Sequence, residues 1–366
     1  SFNIATDTTV ELLNKKRELQ KKYPMYFNEQ SGQLTFNKAS ANLPLGKYVF
    51  DVEMTNPTGT KVFPSLASNS LQQILIKLLN EKGINIIGTS YDSLDIAEDR
   101  GRFSDLLKEM EIPYPKYGTA YNTDDAIEVA KEVGYPVLVR PSYVLGGQRM
   151  RIVINETELE SAVLSLIKHL PGNKILIDHF LDRCQEAEID AIYDGETFHV
   201  MGVMEHIEPA GIHSGDSNAV LPAFNLTPMI VEKMEFYSEK IARALNIRGL
   251  INIQFAIKNG QVYVIEANPR ASRTTPFIAK AYQIPYLNIA TKVMLGANKL
   301  TDFTMVKKLD GYAIKEPVFS FDKFPGVNKE LGPEMKSTGE AIRFIKDLHD
   351  PYFRTLYKER SMNLSR

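Results

Sequence analysis

The stretch LINIQFAIKNGQVYVIEANPR, residues 250–270, constrains the fold more tightly than any other segment. Two apolar runs rich in β-branched residues flank Asn259-Gly260, a dipeptide that accepts positive φ and so marks a hairpin turn. The second run begins as an ordinary core strand, Val262 to Ile265, and then continues into Glu266, Asn268 and Arg270. A strand that is apolar at one end and charged at the other leaves the core along its length. Which side chains share a face depends on the turn, because a slip of one residue inverts a strand. A loop running from Lys258 to Gly260 pairs Ile257 with Gln261 and sets Gln254, Val264, Glu266 and Asn268 on one face. A shorter loop of Asn259 and Gly260 alone sets Gln254 on the face away from Glu266. Only the longer loop gathers the polar groups, and that register is expected.

Gathered in this way, Gln254, Glu266 and Asn268 form an oxygen-rich set. It suits a hard cation such as Mg²⁺, which keeps waters and takes few protein ligands beside substrate phosphates. Arg270 and Arg273 then face an anion held by the metal. The competing reading is a polar strand end with solvated charges, since Glu and Arg are common where strands reach the surface.

Length and charge set the outer bounds. At 366 residues, 43% of them hydrophobic, the chain is long enough for roughly two or three domains with sizeable cores. A formal charge of −2 lacks the strongly basic footprint of a nucleic-acid or membrane-surface protein. Cys184 is the single cysteine, so no internal disulfide forms, which fits a reducing compartment. No apolar run reaches the about 18 residues of a membrane span. The N-terminal SFNIATDTTVELLNKK lacks the basic-then-apolar pattern of a secretory signal. A cytoplasmic protein is expected.

Residues 1–66 read as β-rich. After a surface helix over TVELLNKKRELQKKYP, the pieces QLTFNK, GKYVFDVEMTN and GTKVFPSL alternate and are broken by turn residues, as in β-hairpins. From Asn69 the pattern becomes α+β with a mixed sheet. SLQQILIKLLNEKG reads as an amphipathic helix, INIIGTS as a buried strand, and DIAEDRGRFSDLLKEM as one further helix. DDAIEVAKEVG reads as a helix, and PVLVRPS, ILIDHFL and EIDAIYD as strands. After Phe303 the order is a short strand, a loop rich in Pro and Gly, and a final helix ending in EAIRFIKD.

Two further segments carry candidate chemistry. In LVRPSYVLGGQRM, Arg140 precedes Gly146-Gly147, a cation beside a loop able to fold over phosphates and donate backbone N–H groups. No Gly-Lys-Ser/Thr follows, so it is not a Walker loop. GIHSGDS, residues 211–217, is a small-residue loop whose lone His213 has no Cys/His spacing for zinc.

Taken together, AEDRGRF, VLVRPSYVLGGQRM, ILIDHFLDRCQEAEIDAI, MEHIEPAGIHSGDS, INIQFAIKNGQVYVIEANPRASRTTPF and FDKFPGVNKELGPEMKSTGE run in unbroken order from about Gly83 to about Glu340. They resemble the large chain of carbamoyl-phosphate synthetase, an ATP-grasp enzyme built of two related synthetase halves. PSYVLGG, DHFLD, MEHIEPAGIHSGDS and LGPEMKSTGE are more similar to the second half, which phosphorylates carbamate, than to the first, which activates bicarbonate. The resemblance implies an α+β, ATP-grasp fold with two subdomains clasping ATP, preceded by a small β-rich segment. The implied divisions are residues 1–66, a remnant of a preceding domain at 67–95, the ATP-grasp unit at 96–300 with a lid at about 112–185, and an extension at 301–366. The implied reaction converts ATP and carbamate to ADP and carbamoyl phosphate.

The resemblance also implies residue roles. Arg100 and Arg140 would hold ATP phosphates, with Gly146 and Gly147 in a lid loop above them. His179 and Leu181 would line the adenine pocket, Glu186 would bind the ribose hydroxyls, and Gly211, Ile212, His213 and Ser214 would form the floor near the nucleotide. Gln254, Glu266 and Asn268 would coordinate two ions of Mg²⁺ or its substitute Mn²⁺, with Gln254 and Glu266 also meeting ATP. Arg270 and Arg273, together with Arg140, would grip the acceptor and the transferring phosphoryl group.

Where the family carries a Gly-Gly-Gln-Thr segment before the helix SLQQILIKLL, this chain reads VFPSLASNSLQQ, and residues 1–66 match nothing in the family pattern. The first synthetase half and a glutaminase are not seen. The expected partners are therefore ATP, carbamate, and a separate chain carrying the first half with a glutaminase subunit, with no nucleic acid and no membrane. Two other readings stay open at this point: an inactive nucleotide-binding module, and a β-rich binding domain in residues 1–66 that carries the ATP-grasp unit.

Overall fold

Alternation and turn chemistry become strands and helices in the computed structural model, which describes residues 25–28, 33–36, 50–56, 59–66, 87–141, 149–169, 174–323, 326 and 328–361. The helices expected over 9–24 and 70–83, and the glycines Gly146 and Gly147, lie outside the described residues. The chain falls into two units, residues 1–49 and 50–366. In the first, β1 (Met25–Asn28) pairs antiparallel with β2 (Gln33–Phe36). The second opens with an antiparallel pair of β3 (Phe50–Asn56) and β4 (Gly59–Leu66). Of these, β2, β3 and β4 fall in the alternating pieces read as hairpins, and β1 lies ahead of them.

Beyond Ile87 two expectations change. Ile87 stands in a bend and is 52% exposed, so the described part of INIIGTS is not a buried strand. DIAEDRGRFSDLLKEM is split between two helices, α1 (Tyr91–Glu98) and α2 (Arg100–Glu109). Asp99 takes an extended conformation between them, and its side chain accepts a hydrogen bond from the Arg102 N–H. An aspartate offers the backbone that capping bond in preference to a continued helix.

The next elements build a four-stranded antiparallel sheet. They are β5 (Tyr117–Ala120), α3 (Thr123–Val133), β6 (Val137–Pro141), β7 (Arg151–Val153), α4 (Glu156–His169) and β8 (Ile175–His179), with strand order β5-β8-β6-β7. One apolar cluster joins the sheet to both helices, with Val137, Val139 and Ile177 packed among Ala126, Ala130, Leu159 and Val163.

The larger sheet has seven strands: β9 (Gln185–Tyr193), β10 (Phe198–His206), β11 (Ala219–Leu221), β12 (Gly249–Lys258), β13 (Gln261–Asn268), β14 (Tyr312–Val318) and β15 (Gly339–Ile345). They pair antiparallel in the order β13-β12-β9-β10-β11-β14-β15. Four helices accompany them: α5 (Pro228–Ala244), α6 (Thr274–Tyr282), α7 (Tyr286–Met294) and α8 (Pro351–Ser361). EAIRFIKD, expected as a final helix, supplies most of β15, and the helix comes only after it. Seven pairings to β14 and the Arg343 to Glu316 ion pair outweigh a short apolar pattern that fits either period. Among the described residues no helix is long and apolar enough to cross a membrane.

The two faces of this sheet differ. Ile189, Ile253, Phe255 and Val264 pack one face against Phe103 and Leu107 of α2 and Met234 and Ile241 of α5. On the opposite face Ile192, Met204, Leu221 and Ala313 meet Phe277 and Ile278 of α6 and Ile289 of α7. Further along β9, β12 and β13 that second face turns polar.

Candidate active site

The hairpin turn is shorter than expected. Lys258 pairs with Gln261 across Asn259 and Gly260, whose φ values are +52° and +76°. Positive φ at both central residues gives the turn whose twist matches that of the flanking strands. That register alone would turn Gln254 away from Glu266. A β-bulge restores the match: Phe255 pairs with Val264 but Gln254 pairs with Glu266, so Ile265 is the extra residue. An extra residue inverts the alternation beyond it. Val262 and Val264 before the bulge and Ala267 after it therefore all enter the same core. Val264, expected on the polar face, lies instead fully buried opposite Phe255, while Gln254, Glu266 and Asn268 share a face.

Opposed residues of antiparallel strands project to the same side. Two polar rungs cross β13, β12 and β9: Glu266, Gln254 and Glu188 in one, and Asn268, Asn252 and Asp190 in the other. Hydrogen bonds knit them together. Asn268 Nδ2 donates to Glu266 Oε1 at 2.9 Å, and Asn252 Nδ2 donates to Glu188 Oε2 at 2.8 Å and Asp190 Oδ2 at 3.1 Å. Gln254 Nε2 donates to Ser214 Oγ at 3.1 Å. Among the described residues no group of three or more His, Cys, Asp and Glu side chains is placed to hold a metal. The candidate metal set is thus one carboxylate and two carboxamides. Its chemistry fits a hard cation with several waters, and not zinc.

The arginines follow at once. Arg270 and Arg273 are both exposed. Arg270 Nη2 donates to Asn268 Oδ1 at 3.2 Å, and Arg273 Nη1 donates to Ser337 Oγ at 3.3 Å. Ser337 belongs to a segment docked on the 213–216 loop: Asp216, fully buried, accepts the N–H groups of Lys336 and Ser337 at 2.8 Å each, and Gly332 O accepts the His213 N–H at 2.8 Å. Gly211, Ile212, His213 and Ser214, expected as the floor near the nucleotide, are half-buried. Burial lowers the His213 imidazole from its usual range, against the pull of Glu266 and Asp216. Lys315, 2% exposed, donates from Nζ to Ser214 O at 2.7 Å. Glu98 at the end of α1 is electrostatically joined to this end as well: burial raises its carboxyl and the Arg270 charge opposes the rise.

At the other end of the polar face, Leu181, Cys184 and Ala256 form an apolar patch with Ala210, Tyr263 and Ile265. Burial pushes the Cys184 thiol up to about 12, so it serves as an apolar wall and not a nucleophile. His179 Nδ1 lies 2.8 Å from Gly134 O. Glu186 Oε1 accepts the Gly211 N–H at 3.2 Å. Gly211 has φ +93°, and a Cβ there would meet Ile152 Cδ1 at 2.7 Å and Phe180 Cζ at 2.9 Å, so glycine is required by both conformation and space. Arg140 and Arg100 converge on Asp178, at 3.0 and 2.8 Å. Burial would raise the Asp178 carboxyl, but the two guanidinium charges hold it below the usual range. Arg100 is itself buried, and its other nitrogens donate to Ile265 O at 3.1 Å and Pro115 O at 3.4 Å. Its Nη1 and Nη2 thus meet protein carbonyls while Nε faces Asp178.

Several of these residues escaped the sequence reading: Glu98, Asp178, Glu188, Asp190, Asn252, Lys315 and Ser337. For two of them, Glu188 and Asp190, a signal was present. In QEAEIDAIY, Glu186, Glu188 and Asp190 recur at every second position of an otherwise apolar strand, which marks a polar row on a buried face.

Comparison with known proteins adds to this geometry. Residues 99–301 match the family "Carbamoyl-phosphate synthase L chain, ATP binding domain". The chain is 50% identical over 278 residues to the carbamoyl phosphate synthase large chain of Archaeoglobus fulgidus, covering 75% of this chain and 26% of that one. It is 48% identical over 287 residues to the "Carbamoyl phosphate synthase large chain, C-terminal section" of Methanocaldococcus jannaschii, covering 75% of this chain and 46% of that one. It thus spans a quarter to a half of these relatives. Among solved structures, the biotin carboxylase of Campylobacter jejuni superposes with a TM-score of 0.61 at 19% identity over 75% of this chain and 68% of that one. An N5-carboxyaminoimidazole ribonucleotide synthetase gives 0.61 at 14% identity over 81% and 78%. Those likenesses show the fold, which is ATP-grasp. With the polar rungs and the flanking arginines lying within the matched span, the chain belongs to the carbamoyl-phosphate synthase large-chain ATP-binding family, a family of ATP-dependent ligases.

Proposed function

We propose that this chain carries out ATP- and Mg²⁺-dependent phosphorylation of carbamate to carbamoyl phosphate, as the second synthetase half of its family. The observation that carries the reading is the convergence of Gln254, Glu266 and Asn268 on one sheet face directly before Arg270 and Arg273. The relative named as a C-terminal section supports a synthetase divided between chains. A separate chain with the first half, and a glutaminase subunit, would then supply carbamate, in the cytoplasm.

Carbamate is an anion and already a nucleophile, so no strong base is needed. One of its oxygens bonds to the γ-phosphorus as the bond to the ADP oxygen breaks, and ADP leaves with that electron pair. What the reaction lacks in water is positioning and charge neutralisation. Gln254, Glu266 and Asn268 would hold Mg²⁺ or Mn²⁺, two ions by family resemblance, which when bound offset the phosphate charge. Arg270 and Arg273 neutralise the acceptor and the transferring group, and Arg140 reaches the nucleotide phosphates. The apolar patch around Leu181 receives the base, with Glu186 toward the ribose.

Glu266→Ala and Arg270→Ala each remove a contact of a kind often worth roughly 10²- to 10³-fold in rate. Both side chains are exposed, so folding is unaffected. The expected result is loss of ATP formation from ADP and carbamoyl phosphate in a coupled assay, with unchanged circular dichroism. Near-normal activity in either variant would refute the assignment. A wild-type chain whose melting temperature rises with Mg-ATP but which forms no ATP would instead be an inactive nucleotide-binding module.

A further inference from the structure

The turn that carries Arg270 and Arg273 is anchored from below by a buried carboxylate. Asp190 of β9 is 1% exposed and accepts four hydrogen bonds. Thr274 Oγ1 donates to its Oδ2 at 2.7 Å, Thr275 Oγ1 to its Oδ1 at 3.2 Å, Ser272 Oγ to the same Oδ1, and Asn252 Nδ2 to Oδ2 at 3.1 Å. The hydroxyl oxygens also cluster, Ser272 Oγ lying 2.8 Å from Thr274 Oγ1 and 2.9 Å from Thr275 Oγ1. Thr274 and Thr275 are buried, whereas Arg270 and Arg273 beside them are exposed. The exposed arginines are therefore held by the buried hydroxyls between and after them. Asn252 extends the same network to the metal end, because its Oδ1 accepts from Asn268 Nδ2 at 3.5 Å.

Arginine carries about 2 kcal/mol of side-chain rotamer freedom, so two exposed arginines meet one phosphoryl group only if the backbone beneath them is fixed. Hydrogen bonds to an ionised carboxylate are roughly twice as strong as neutral ones. We propose that Asp190 is a positioning residue: through Ser272, Thr274 and Thr275 it presets the turn that aims Arg270 and Arg273. The proposal rests on the reading of those arginines as the acceptor end. It requires that Asp190 act on the transfer step and not on nucleotide affinity, since none of its partners lies in the apolar patch around Leu181.

Thr275→Val and Thr274→Val each remove one hydroxyl and keep the shape, and Asp190→Asn tests the anchor itself. By hydrogen exchange, amides of residues 268–276 are expected to exchange about 10-fold faster in each variant, while α5 and β9 keep their protection. In the coupled assay kcat is expected to fall about 10-fold or more with KM for ADP unchanged. Thr274→Ser and Thr275→Ser restore both. Uniform loosening of the whole sheet, a parallel rise in KM for ADP, or failure of the serine variants to rescue would overturn the proposal. Wild-type protein that forms no ATP, yet shows the local change in exchange, would defeat the functional reading and leave the anchor standing. An unchanged exchange rate at 268–276 would defeat the anchor alone.

Discussion

His206 is the residue whose charge state departs most usefully from habit. Burial lowers the pKa of an imidazole, but Glu186 and Glu188, at 3.5 and 3.3 Å, outweigh it and raise His206 to about 9. A raised histidine contributes stability that is complete below its unfolded value of about 6.5 and is lost as pH climbs through the folded value. From about pH 6.5 to 9 the protein is expected to lose up to about 3 kcal/mol. Urea midpoints across that range measure the loss, and a His206→Gln variant with the same slope would disprove its origin. Asp190 acts in a different window. Burial and the Glu188 charge raise it to about 6, so its share falls as pH rises between about 4 and 6. At this scale legibility followed sequence distance. Gln254, Glu266, Asn268, Arg270 and Arg273 lie within one hairpin and the turn after it, and were readable. The polar row holding Asp190 left a trace in QEAEIDAIY, but its anchoring role did not, because its hydroxyl partners stand 82, 84 and 85 residues away.

Among the elements, the β12–β13 hairpin shows how one residue decides a site. A turn of Asn259 and Gly260 and a bulge at Ile265 together give the face-sharing that a longer turn alone would have given. Either solution places Glu266 beside Gln254, but only the observed one also buries Val262, Val264 and Ala267 in a single core. Inserting one alanine after Val264 gives the bulge to the new residue, sets Ile265 opposite Gln254 and sends Glu266 toward the apolar layer. Burying an unpaired carboxylate costs several kcal/mol. The variant is expected to melt roughly 5 °C lower or more and to lose the rise in melting temperature expected with Mg-ATP. An insertion variant with wild-type stability and an intact Mg-ATP shift would show that the register does not set the site. The bulge was illegible because turn type is a local preference, whereas the extra residue answers to the layer packed beneath the sheet. Strand β15 was missed for a related reason, its identity being settled by pairing with β14.

Across the molecule's second unit, Arg100 ties separate layers together. It extends from α2, which packs under the seven-stranded sheet, to Asp178 in the four-stranded sheet and to Ile265 O in β13. Removing one partner of a buried ion pair commonly costs about 3–5 kcal/mol, because the remaining charge stays buried. Asp178→Ala, which strands both Arg100 and Arg140, is expected to lower unfolding free energy by about 3 kcal/mol in urea titration. A change below about 0.5 kcal/mol, the usual size for surface substitutions, would show that the bridge is dispensable. The chain's own order of residues determined the α+β class, most strands and helices of the ATP-grasp region, the hairpin, and the cluster of polar side chains and arginines at its end. Those follow from period, turn chemistry and near neighbours. The tertiary structure alone decided the register that makes the cluster a site, the counter-charges Asp178 and Glu188, and the anchor Asp190. A buried polar group is stable only where its partners converge in space, and here those partners come from strands and turns far apart along the chain.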